Sequence, residues 1–457
     1  MRGRRCRGGG RAPAGRDRPP VIRRMGAVTL VSALALGAVG APPAPSAPSA
    51  AAASGAPGSY AFAEGAATVE GTPSTADAAR LEPGRVYRST LPARGTVYYS
   101  LELDAASTAY VSATAVPPAG LGASSVRDGV KVSLQDARGR SCDVDTAGFG
   151  AAGSPRPVTA SAVRETARRR SLCQEAGTYY VAVERADPDG AGTSPAAWEL
   201  ELAAVTEPPL EAAGVTNAPR EWNSASPEPV AGAARRRAGG AGFAQATPLG
   251  EGVWRDDVRP GATLFYKVPV DWGQQVSVTA ELGSSSGTGK GFVASALDLD
   301  LHNPARSPVA DVRVSYDGGQ KAGSLPPLPP VAHANRHAAV GRVAAMRVAG
   351  SYYLVAHLAA DVADDFGTGP VPLTLRIRLD GAAQYGPAYA GESVPEGVFG
   401  VTAADREAAA EGTDGDAAAM RVLAVSGFGA GSALLLGLGA WTVVARRRAA
   451  SWRDGAV

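Results

Sequence analysis

The sequence predicts an all-β protein with two tandem antiparallel β-sandwich domains of jelly-roll-like form and one C-terminal transmembrane helix. Three observations carry this prediction: segments that alternate apolar and polar residues, motifs that occur twice, and a long uncharged segment near the C-terminus. Alternation with a period of two is typical of half-buried strands, because successive side chains point to opposite faces of a sheet. The 57 Gly and 35 Pro favour frequent turns over long helices.

The N-terminus is predicted to direct export. Two arginines precede residues 25–41, an uncharged segment rich in Leu, Val and Ala. A basic flank, a short apolar segment and small residues are the layout of a secretory signal peptide. A start at Met1 or Met25, and export by the Sec or the twin-arginine route, are left open. The predicted segments are a basic leader and signal peptide at residues 1–50 and a disordered linker at residues 51–73.

The two sandwiches are predicted from motifs that repeat in the same order. Residues 86–104 align without gaps with residues 253–271, and AGTYYVAV at residues 176–183 corresponds to AGSYYLVA at residues 349–356. Alternating segments accompany these motifs in both halves, which indicates that a whole domain is duplicated. The predicted domains are β-sandwich 1 at residues 74–205 and β-sandwich 2 at residues 242–382.

Each Gly-[Ser/Thr]-Tyr-Tyr motif is predicted to open a strand. Glycine permits a sharp turn into the strand, and two consecutive tyrosines then point to opposite faces of the sheet. One ring of each pair is expected in the core, and the other on the outside or at an edge with its hydroxyl in reach of water.

A single membrane span is predicted at residues 421–445. Residues 422–445 are 24 residues without a charge, and a helix of that length spans about 36 Å, enough for a hydrocarbon core of about 30 Å. Three arginines follow directly, so the C-terminus is expected in the cytoplasm and the preceding domains outside the cell. The other predicted segments are a Pro/Gly-rich linker at residues 206–241, an acidic Ala-rich stalk at residues 383–420 and a cytoplasmic tail at residues 446–457.

The predicted span also suggests a homodimer. Gly427 and Gly431 form a Gly-x-x-x-Gly pattern, and small residues at this spacing let two helices approach closely. Glycine is common in membrane spans, so a span that does not dimerise is the alternative interpretation.

The charge distribution argues against nucleic acid as a partner. The net charge of +2 divides into +8 for residues 1–24, +3 for residues 446–457 and −9 for the residues between them. Binding to phosphates needs clustered Lys and Arg, which an acidic body does not supply.

Cysteine usage fits an extracytoplasmic location. Cys6 lies in the leader, and Cys142 and Cys173 are the two remaining cysteines. An even pair in an oxidising compartment predicts a disulfide between Cys142 and Cys173, with two free buried thiols as the alternative.

The motif order resembles that of the bacterial pre-peptidase C-terminal domain. The better match is in the second half, at Leu249, Gly252, the Phe-Tyr of residues 265–266, the DLDL of residues 298–301 and the GSYY of residues 350–353. The first half has KVSL, at residues 131–134, where the paired aspartates would stand. The resemblance implies a small jelly-roll-like sandwich attached to exported proteins, which assists secretion, binds surfaces or sometimes binds calcium.

That resemblance directs attention to Asp298 and Asp300 as calcium ligands. At a spacing of two they share one face of a strand, and hard oxygen ligands that converge there can hold Ca²⁺. The alternative is that both are solvated on the outer face while Leu297, Leu299 and Leu301 face inward. Calcium needs six to eight oxygen ligands, and only these two carboxylates are visible in the sequence.

No catalytic residues are predicted. The letters G-x-S-x-G occur around Ser285, but strand patterns lie on both sides, whereas a nucleophile elbow needs a strand before it and a helix after it. His333 and His337 follow a proline-rich stretch rather than a helical pattern. We therefore do not expect an enzyme, and no cofactor is expected apart from the calcium considered above.

The expected function is binding. We expect a non-catalytic, membrane-anchored extracytoplasmic protein whose two sandwiches bind a protein or glycan partner in the cell envelope. The first alternative is an accessory or assembly factor of a membrane secretion or protease system, acting through the span or stalk. The second is a hydrolase with an unrecognised site. Whether the two sandwiches pack together is left open.

Overall fold

The computed structural model describes residues 59–411, apart from residues 119, 122–123, 167–171, 191–193, 220, 229, 286 and 288. The predicted signal segment at residues 25–41 and the predicted span at residues 422–445, with Gly427 and Gly431, lie outside the described residues. Within the described ranges, no helix is long and apolar enough to cross a membrane. The described residues all belong to one compact unit, Ser54–Val457.

Sandwich 1 contains the first ten strands of the described chain. They are β1 (Ala67–Thr68), β2 (Ala79–Leu81), β3 (Val86–Leu91), β4 (Thr96–Leu103), β5 (Thr108–Val116), β6 (Gly129–Asp136), β7 (Ser141–Gly148), β8 (Val158–Arg164), β9 (Gly177–Arg185) and β10 (Trp198–Glu207). One sheet has the order β1-β3-β10-β5-β8 and the other the order β2-β4-β9-β6-β7. The apolar faces of the two sheets share one hydrophobic core.

Sandwich 2 contains the next ten strands. They are β11 (Arg235–Arg236), β12 (Thr247–Pro248), β13 (Gly252–Val258), β14 (Thr263–Val270), β15 (Gln275–Leu282), β16 (Val293–His302), β17 (Pro308–Tyr316), β18 (Lys321–Ser324), β19 (Gly350–Leu358) and β20 (Val371–Asp380). The orders β11-β13-β20-β15-β18 and β12-β14-β19-β16-β17 reproduce those of sandwich 1, with every strand number raised by ten. The duplication inferred from the motifs therefore extends to the whole strand order.

Helices are few and short. They are 3-10 helices at Phe243–Gln245 and His333–His337, and α-helices α1 (Gly341–Ala345), α2 (Val362–Phe366) and α3 (Ala403–Ala410). The prediction of an all-β fold is confirmed for the described part of the chain.

The sheets are mixed rather than purely antiparallel. The long strands pair in antiparallel fashion, but β1, β2, β11 and β12 pair in parallel with β3, β4, β13 and β14 at one edge of each sheet. These four strands are only two or three residues long. Such short pieces carry too little alternation to be read as strands in the sequence.

The Tyr-Tyr motifs open strands β9 and β19 as predicted. Gly177 and Gly350 have φ angles of 143° and 134°, which favour glycine at the turn into the strand. Tyr179 and Tyr352 are buried, and the following tyrosine of each pair is more exposed. Both buried hydroxyl groups donate to the carbonyl oxygen four residues earlier, at 2.6 Å in the first sandwich and 2.7 Å in the second.

A second buried tyrosine also repeats together with its partner. The Tyr99 hydroxyl donates to Ser89 Oγ at 2.8 Å, and the Tyr266 hydroxyl donates to Asp256 Oδ2 at 2.7 Å. Both the tyrosines and their acceptors are related by the 167-residue offset of the sequence repeat. The repeat therefore keeps the partner of a buried hydroxyl, because an unpaired one would cost stability.

The predicted disulfide is confirmed. Cys142, on β7, is bonded to Cys173, in the segment before β9, and the two cysteines are separated by 31 residues. The bond joins an edge strand of sandwich 1 to a loop that contacts the core, since Cys173 is buried.

The predicted linker and stalk are more ordered than their composition suggested. Both ends of the linker lie in sheets, because β10 extends to Glu207 and β11 begins at Arg235. Residues 383–411, assigned to the stalk, pack on both sandwiches. Val394 pairs with Thr206 of sandwich 1, and the Gly250 N–H of sandwich 2 donates to the Ala409 carbonyl at 2.9 Å. An Ala-rich composition does not reveal such contacts, and residues 412–420 lie outside the described residues.

Candidate functional site

The two sandwiches pack against each other along a seam that contains four buried ion pairs. In three of them a glutamate of sandwich 1 faces an arginine of sandwich 2. In the fourth, an arginine of sandwich 1 faces an aspartate of sandwich 2. The pairs are Glu165–Arg347 at 3.0 Å, Glu201–Arg306 at 2.6 Å, Glu207–Arg336 at 2.5 Å and Asp298–Arg156 at 3.1 Å. Breaking a buried pair leaves a charge without a counter-charge, so the pairs specify how the sandwiches are aligned.

Glu207 is the centre of the most connected of these pairs. Its carboxylate accepts hydrogen bonds from Arg336, from the Tyr110 hydroxyl at 2.7 Å and from the Tyr389 hydroxyl at 2.8 Å. Burial opposes ionisation, but Arg336 and the two hydroxyl donors outweigh it and lower the pKa of Glu207. Tyr389 lies in the predicted stalk, so this carboxylate joins that segment to both sandwiches.

Apolar contacts accompany the ion pairs. The Tyr110 ring of sandwich 1 lies 5.7 Å from the Phe399 ring. Tyr60, which precedes β1, lies 5.6 Å from Phe265 of sandwich 2 and donates its hydroxyl to Glu201 at 2.9 Å. Aromatic rings with a polar tip suit this position, because the ring excludes water while the hydroxyl satisfies a buried carboxylate.

Asp298, one of the two predicted calcium ligands, faces arginines in the structure. Asp298 is 1% exposed, and its carboxylate faces Arg156 at 3.1 Å and Arg313 at 3.2 Å. Burial, opposed in part by Arg156, raises the pKa of Asp298 to about 6. Within the described residues, no three His, Cys, Asp or Glu side chains cluster as metal ligands. Two guanidinium groups therefore occupy the place that further oxygen ligands would need.

A cleft of about 270 Å³ lies beside Arg156, between the two sandwiches. Its walls come from β7 and β8 of sandwich 1 and from β16 and β17 of sandwich 2, and Phe265 and Val355 also line it. Three of these four strands, β7, β8 and β17, are sheet edges. The cleft therefore exists only because the two sandwiches are held together.

The cleft is lined by carboxylates and one accessible guanidinium. Asp145, Asp300 and Asp311 line it, and Arg313 spans from Asp311 to Asp298. In the part of the chain that the structure describes, Asp300 has no ion pair and no side-chain hydrogen bond. His302 also lines the cleft, and burial lowers its pKa, so this imidazole is neutral at pH 7. The cleft thus offers hydrogen-bond acceptors and an excess of negative charge.

The edge of β8 is closed by aspartates of β7. Asp143 Oδ2 accepts the Val163 N–H at 2.9 Å, and Asp145 Oδ2 accepts the Ser161 N–H at 3.0 Å. These bonds satisfy backbone donors that an edge strand would otherwise present to a partner strand. A ligand in the cleft therefore meets side chains here rather than free main-chain donors of β8.

A Ser–His contact crosses the seam, but its surroundings do not favour catalysis. The Oγ of Ser154 and Nε2 of His357 are 2.9 Å apart, and the Nδ1 of His357 lies 2.9 Å from the Thr263 hydroxyl. Ser154 is 1% exposed, so no substrate reaches its hydroxyl. Thr263 also stands where the triad mechanism places a carboxylate.

The serine and histidines considered from the sequence do not assemble. Ser285 lies in the loop between β15 and β16, and its hydroxyl is 3.4 Å from the Gly287 carbonyl. His333 lies by the seam, 3.7 Å from the Glu207 carboxylate. Burial, together with Arg336, lowers its pKa to about 4, so His333 is neutral at pH 7.

Sequence reasoning missed the residues that build the seam. Glu201 and Glu207 read as polar positions of an alternating strand, and their arginine partners lie more than one hundred residues away. The burial of Glu201 and Glu207 is visible only in the structure, where most residues of β10 are buried.

No protein family matches the chain, and no curated protein does. Among solved structures, the chain is similar to the CUB1-EGF-CUB2 region of human MASP-1/3, at 9% identity and a TM-score of 0.14, over 64% of this chain and 99% of that chain. It is also similar to the tandem CBM22 domains of Paenibacillus barcinonensis Xyn10C, at 10% identity and a TM-score of 0.16, over 64% of this chain and 84% of that chain. Likenesses this distant carry no argument about function, and the fold rests on the strand order above.

Proposed function

We propose that this chain is a non-catalytic extracytoplasmic protein, anchored in the membrane by residues 422–445. Its two sandwiches bind a protein or glycan partner of the cell envelope in the cleft between them, which we call the seam cleft. The observation that carries the proposal is that the cleft is preformed, because Asp298 on β16 pairs with Arg156, in the segment before β8, and with Arg313 on β17. A preformed site binds without first ordering its walls, which lowers the cost of association.

Other features support this location and role. A disulfide fits an oxidising compartment. The buried position of Ser154 and the separation of Ser285 from His333 favour binding over hydrolysis. The resemblance to the pre-peptidase C-terminal domain, with its jelly-roll-like form, and a homodimer through Gly427 and Gly431 stay predictions. So does the cytoplasmic placement of the C-terminus.

The proposal is tested by capturing envelope components on the detergent-solubilised full chain. The cleft variant carries Asp300→Ala and Asp311→Ala. The matched control is Asp189→Ala, which removes a carboxylate that is 78% exposed and lies outside the cleft lining. Wild-type protein and the control are expected to retain the same component, and the cleft variant about tenfold less of it, as for the loss of one charged hydrogen bond. Equal retention by all three, or no retained component, contradicts the proposal.

The accessory-factor alternative makes a different prediction. Replacing residues 422–445 with an unrelated membrane span leaves cleft binding unchanged under our proposal. Loss of cellular function with intact cleft binding would instead indicate a role that acts through the span.

A further inference from the structure

The linker between the sandwiches lies across the outer face of a sheet in sandwich 2. We call residues 223–228 together with Val230 the linker strap. Gln275 Nε2 donates to the Asn223 carbonyl at 2.8 Å, Arg378 Nη1 to the Glu228 carbonyl at 3.1 Å, and Arg376 Nη1 to the Val230 carbonyl at 2.9 Å. The donors belong to neighbouring strands β15 and β20, and they alternate with core residues such as Val276 and Ile377, so they stand on the outer face.

All three contacts are made to backbone carbonyl oxygens. Contacts of this kind hold an extended main chain and depend little on its side chains. The side chains of residues 223–228 are exposed to solvent. The linker strap is therefore held as a peptide on a surface, rather than as a segment that buries its side chains in the core.

The two arginine donors are held by carboxylates of the sheet as well as by the linker strap. Arg376 donates to Glu281 at 2.6 Å through Nε, and Arg378 donates to Asp380 at 2.8 Å through Nε. A planar guanidinium held at one edge points its remaining N–H groups in a defined direction. The outer face therefore presents oriented donors whether or not the linker strap is in place.

The fit between the linker strap and the sheet is incomplete. Two clefts, of about 240 and 280 Å³, lie between them. Their walls include Ser277 of the sheet and Pro227 of the linker strap. Unfilled space and few buried side chains mean that little packing opposes removal of the linker strap.

We propose that this face, with Gln275, Arg376 and Arg378, is a binding surface for an extended, proline-containing acidic peptide of a partner protein. The linker strap occupies the surface in the structure, and the partner peptide displaces it. The chemistry of the partner follows from the occupant. Pro227 has no N–H to satisfy and favours an extended chain. Glu228 supplies the one carboxylate of the linker strap, on the residue whose backbone carbonyl accepts from Arg378. This surface is separate from the seam cleft, so the proposal does not depend on the function proposed for that cleft.

The test measures peptide binding to the full chain with and without its linker strap. The probe is a fluorescein-labelled peptide with the sequence EWNSASPEPVAG of residues 221–232, followed by fluorescence anisotropy. In one variant, residues 223–230 are replaced by an equal number of alternating Gly and Ser. Because a tethered segment competes at a millimolar effective concentration, the probe is expected to bind this variant at least about tenfold more tightly than the intact chain.

Two further substitutions in the strap-replaced chain locate the binding surface. Gln275→Ala with Arg378→Ala is expected to weaken probe binding at least about tenfold, since one neutral and one charged donor are lost. The matched control is Arg255→Ala, an exposed arginine of β13 in the same sheet, which is expected to leave probe binding unchanged. Thermal melting checks that every variant keeps its folded state.

Three outcomes overturn the proposal. They are equal probe binding by the intact and strap-replaced chains, equal loss on Arg255→Ala and on the donor substitutions, and binding of an N-acetylglucosamine oligomer in place of the peptide. If the strap-replaced chain does not melt cooperatively, the test uses a chain that keeps its linker strap and carries Gln275→Ala with Arg378→Ala. Proteolysis within residues 223–230 is then expected to be at least about tenfold faster than in the wild-type chain, and an unchanged rate contradicts the proposal.

Discussion

Replacing Glu207 with Gln is expected to weaken the seam far more than the same change at an exposed ion pair. Glu207→Gln keeps the size of the side chain but removes the charge that faces Arg336, whose side chain is 3% exposed. The buried guanidinium then loses the counter-charge that Glu207 supplies. The amide also has one acceptor oxygen in place of two, while Tyr110 and Tyr389 both donate to the wild-type carboxylate.

The size of the effect follows from this burial. Removing one partner of a buried ion pair costs about 3–5 kcal/mol, because the remaining charge cannot be solvated. At roughly 2–4 °C per kcal/mol for a protein of this size class, Tm is expected to fall by about 10 °C. The control is Glu184→Gln, which removes the partner of Lys131 in an ion pair that is 36% and 42% exposed. Exposed pairs contribute about 0–1 kcal/mol, so its Tm is expected to change by no more than about 3 °C.

The assay is thermal unfolding of the full chain and of both variants, followed by circular dichroism. A third variant, Glu207→Gln with Arg336→Met, removes both charges of this pair and is expected to recover part of the lost stability, because the desolvation cost of the guanidinium is then also removed. The reasoning is refuted if Glu207→Gln lowers Tm no more than Glu184→Gln does, or if the double variant is as unstable as the sum of its two single variants.

Three further predictions concern stability. They involve Asp298, the disulfide, and the glycines at the start of β9 and β19. Burial, opposed in part by two arginines, raises the pKa of Asp298 to about 6. We therefore compare the free energy of unfolding in urea of the wild-type chain with that of Asp298→Asn. As pH rises from about 4 to about 6, the wild-type value should fall relative to the variant by roughly 1.4 kcal/mol per pH unit. Above about pH 6 the difference between the two should stay constant. Replacing Cys142 and Cys173 with Ser should lower the free energy of unfolding by about 3–4 kcal/mol, since the bond closes a loop of 31 residues. Gly350→Ala should lower the free energy of unfolding by about 2–4 kcal/mol, and Gly177→Ala should lower it by about 1–2 kcal/mol. Both glycines have positive φ, but only at Gly350 would an added Cβ lie 2.4 Å from a backbone oxygen.

Each of these outcomes has a result that contradicts it. A wild-type chain that gains stability over Asp298→Asn between pH 4 and 6 would show that the arginines outweigh burial. An unchanged urea midpoint in the double serine variant would show that the disulfide does not constrain the unfolded chain. Equal costs at Gly350 and Gly177 would show that the Val398 carbonyl does not lie against Gly350 in solution.

Most of the long strands of both sandwiches were accessible from the sequence, because alternation is a local signal, whereas their order in the sheets was not predicted. The alternating segments that contain Tyr99, Tyr179, Tyr266 and Tyr352 all lie in strands of the structure. Strand β7 was not identified from the sequence, since it is a sheet edge in which the alternation of polar residues with Cys142 and Val144 is short.

The seam could not be predicted, because its residues carry no local pattern. Glu207 and Arg336 are 129 residues apart, and neither position is unusual in its own segment. Arg235, which reads as a solvated linker charge, stacks on Trp254 at 4.0 Å and donates to the Ala410 carbonyl at 2.7 Å. Contacts of this kind depend on how whole domains and connectors pack, which periodicity within a strand does not encode.

Differential scanning calorimetry of the disulfide-bonded full chain tests most directly whether the two sandwiches form one body. If buried charges of each sandwich depend on the other, both sandwiches should unfold in one transition whose calorimetric and van't Hoff enthalpies agree. Two separate transitions, with the second keeping its Tm after Glu207→Gln, would contradict the seam and the preformed cleft that depends on it.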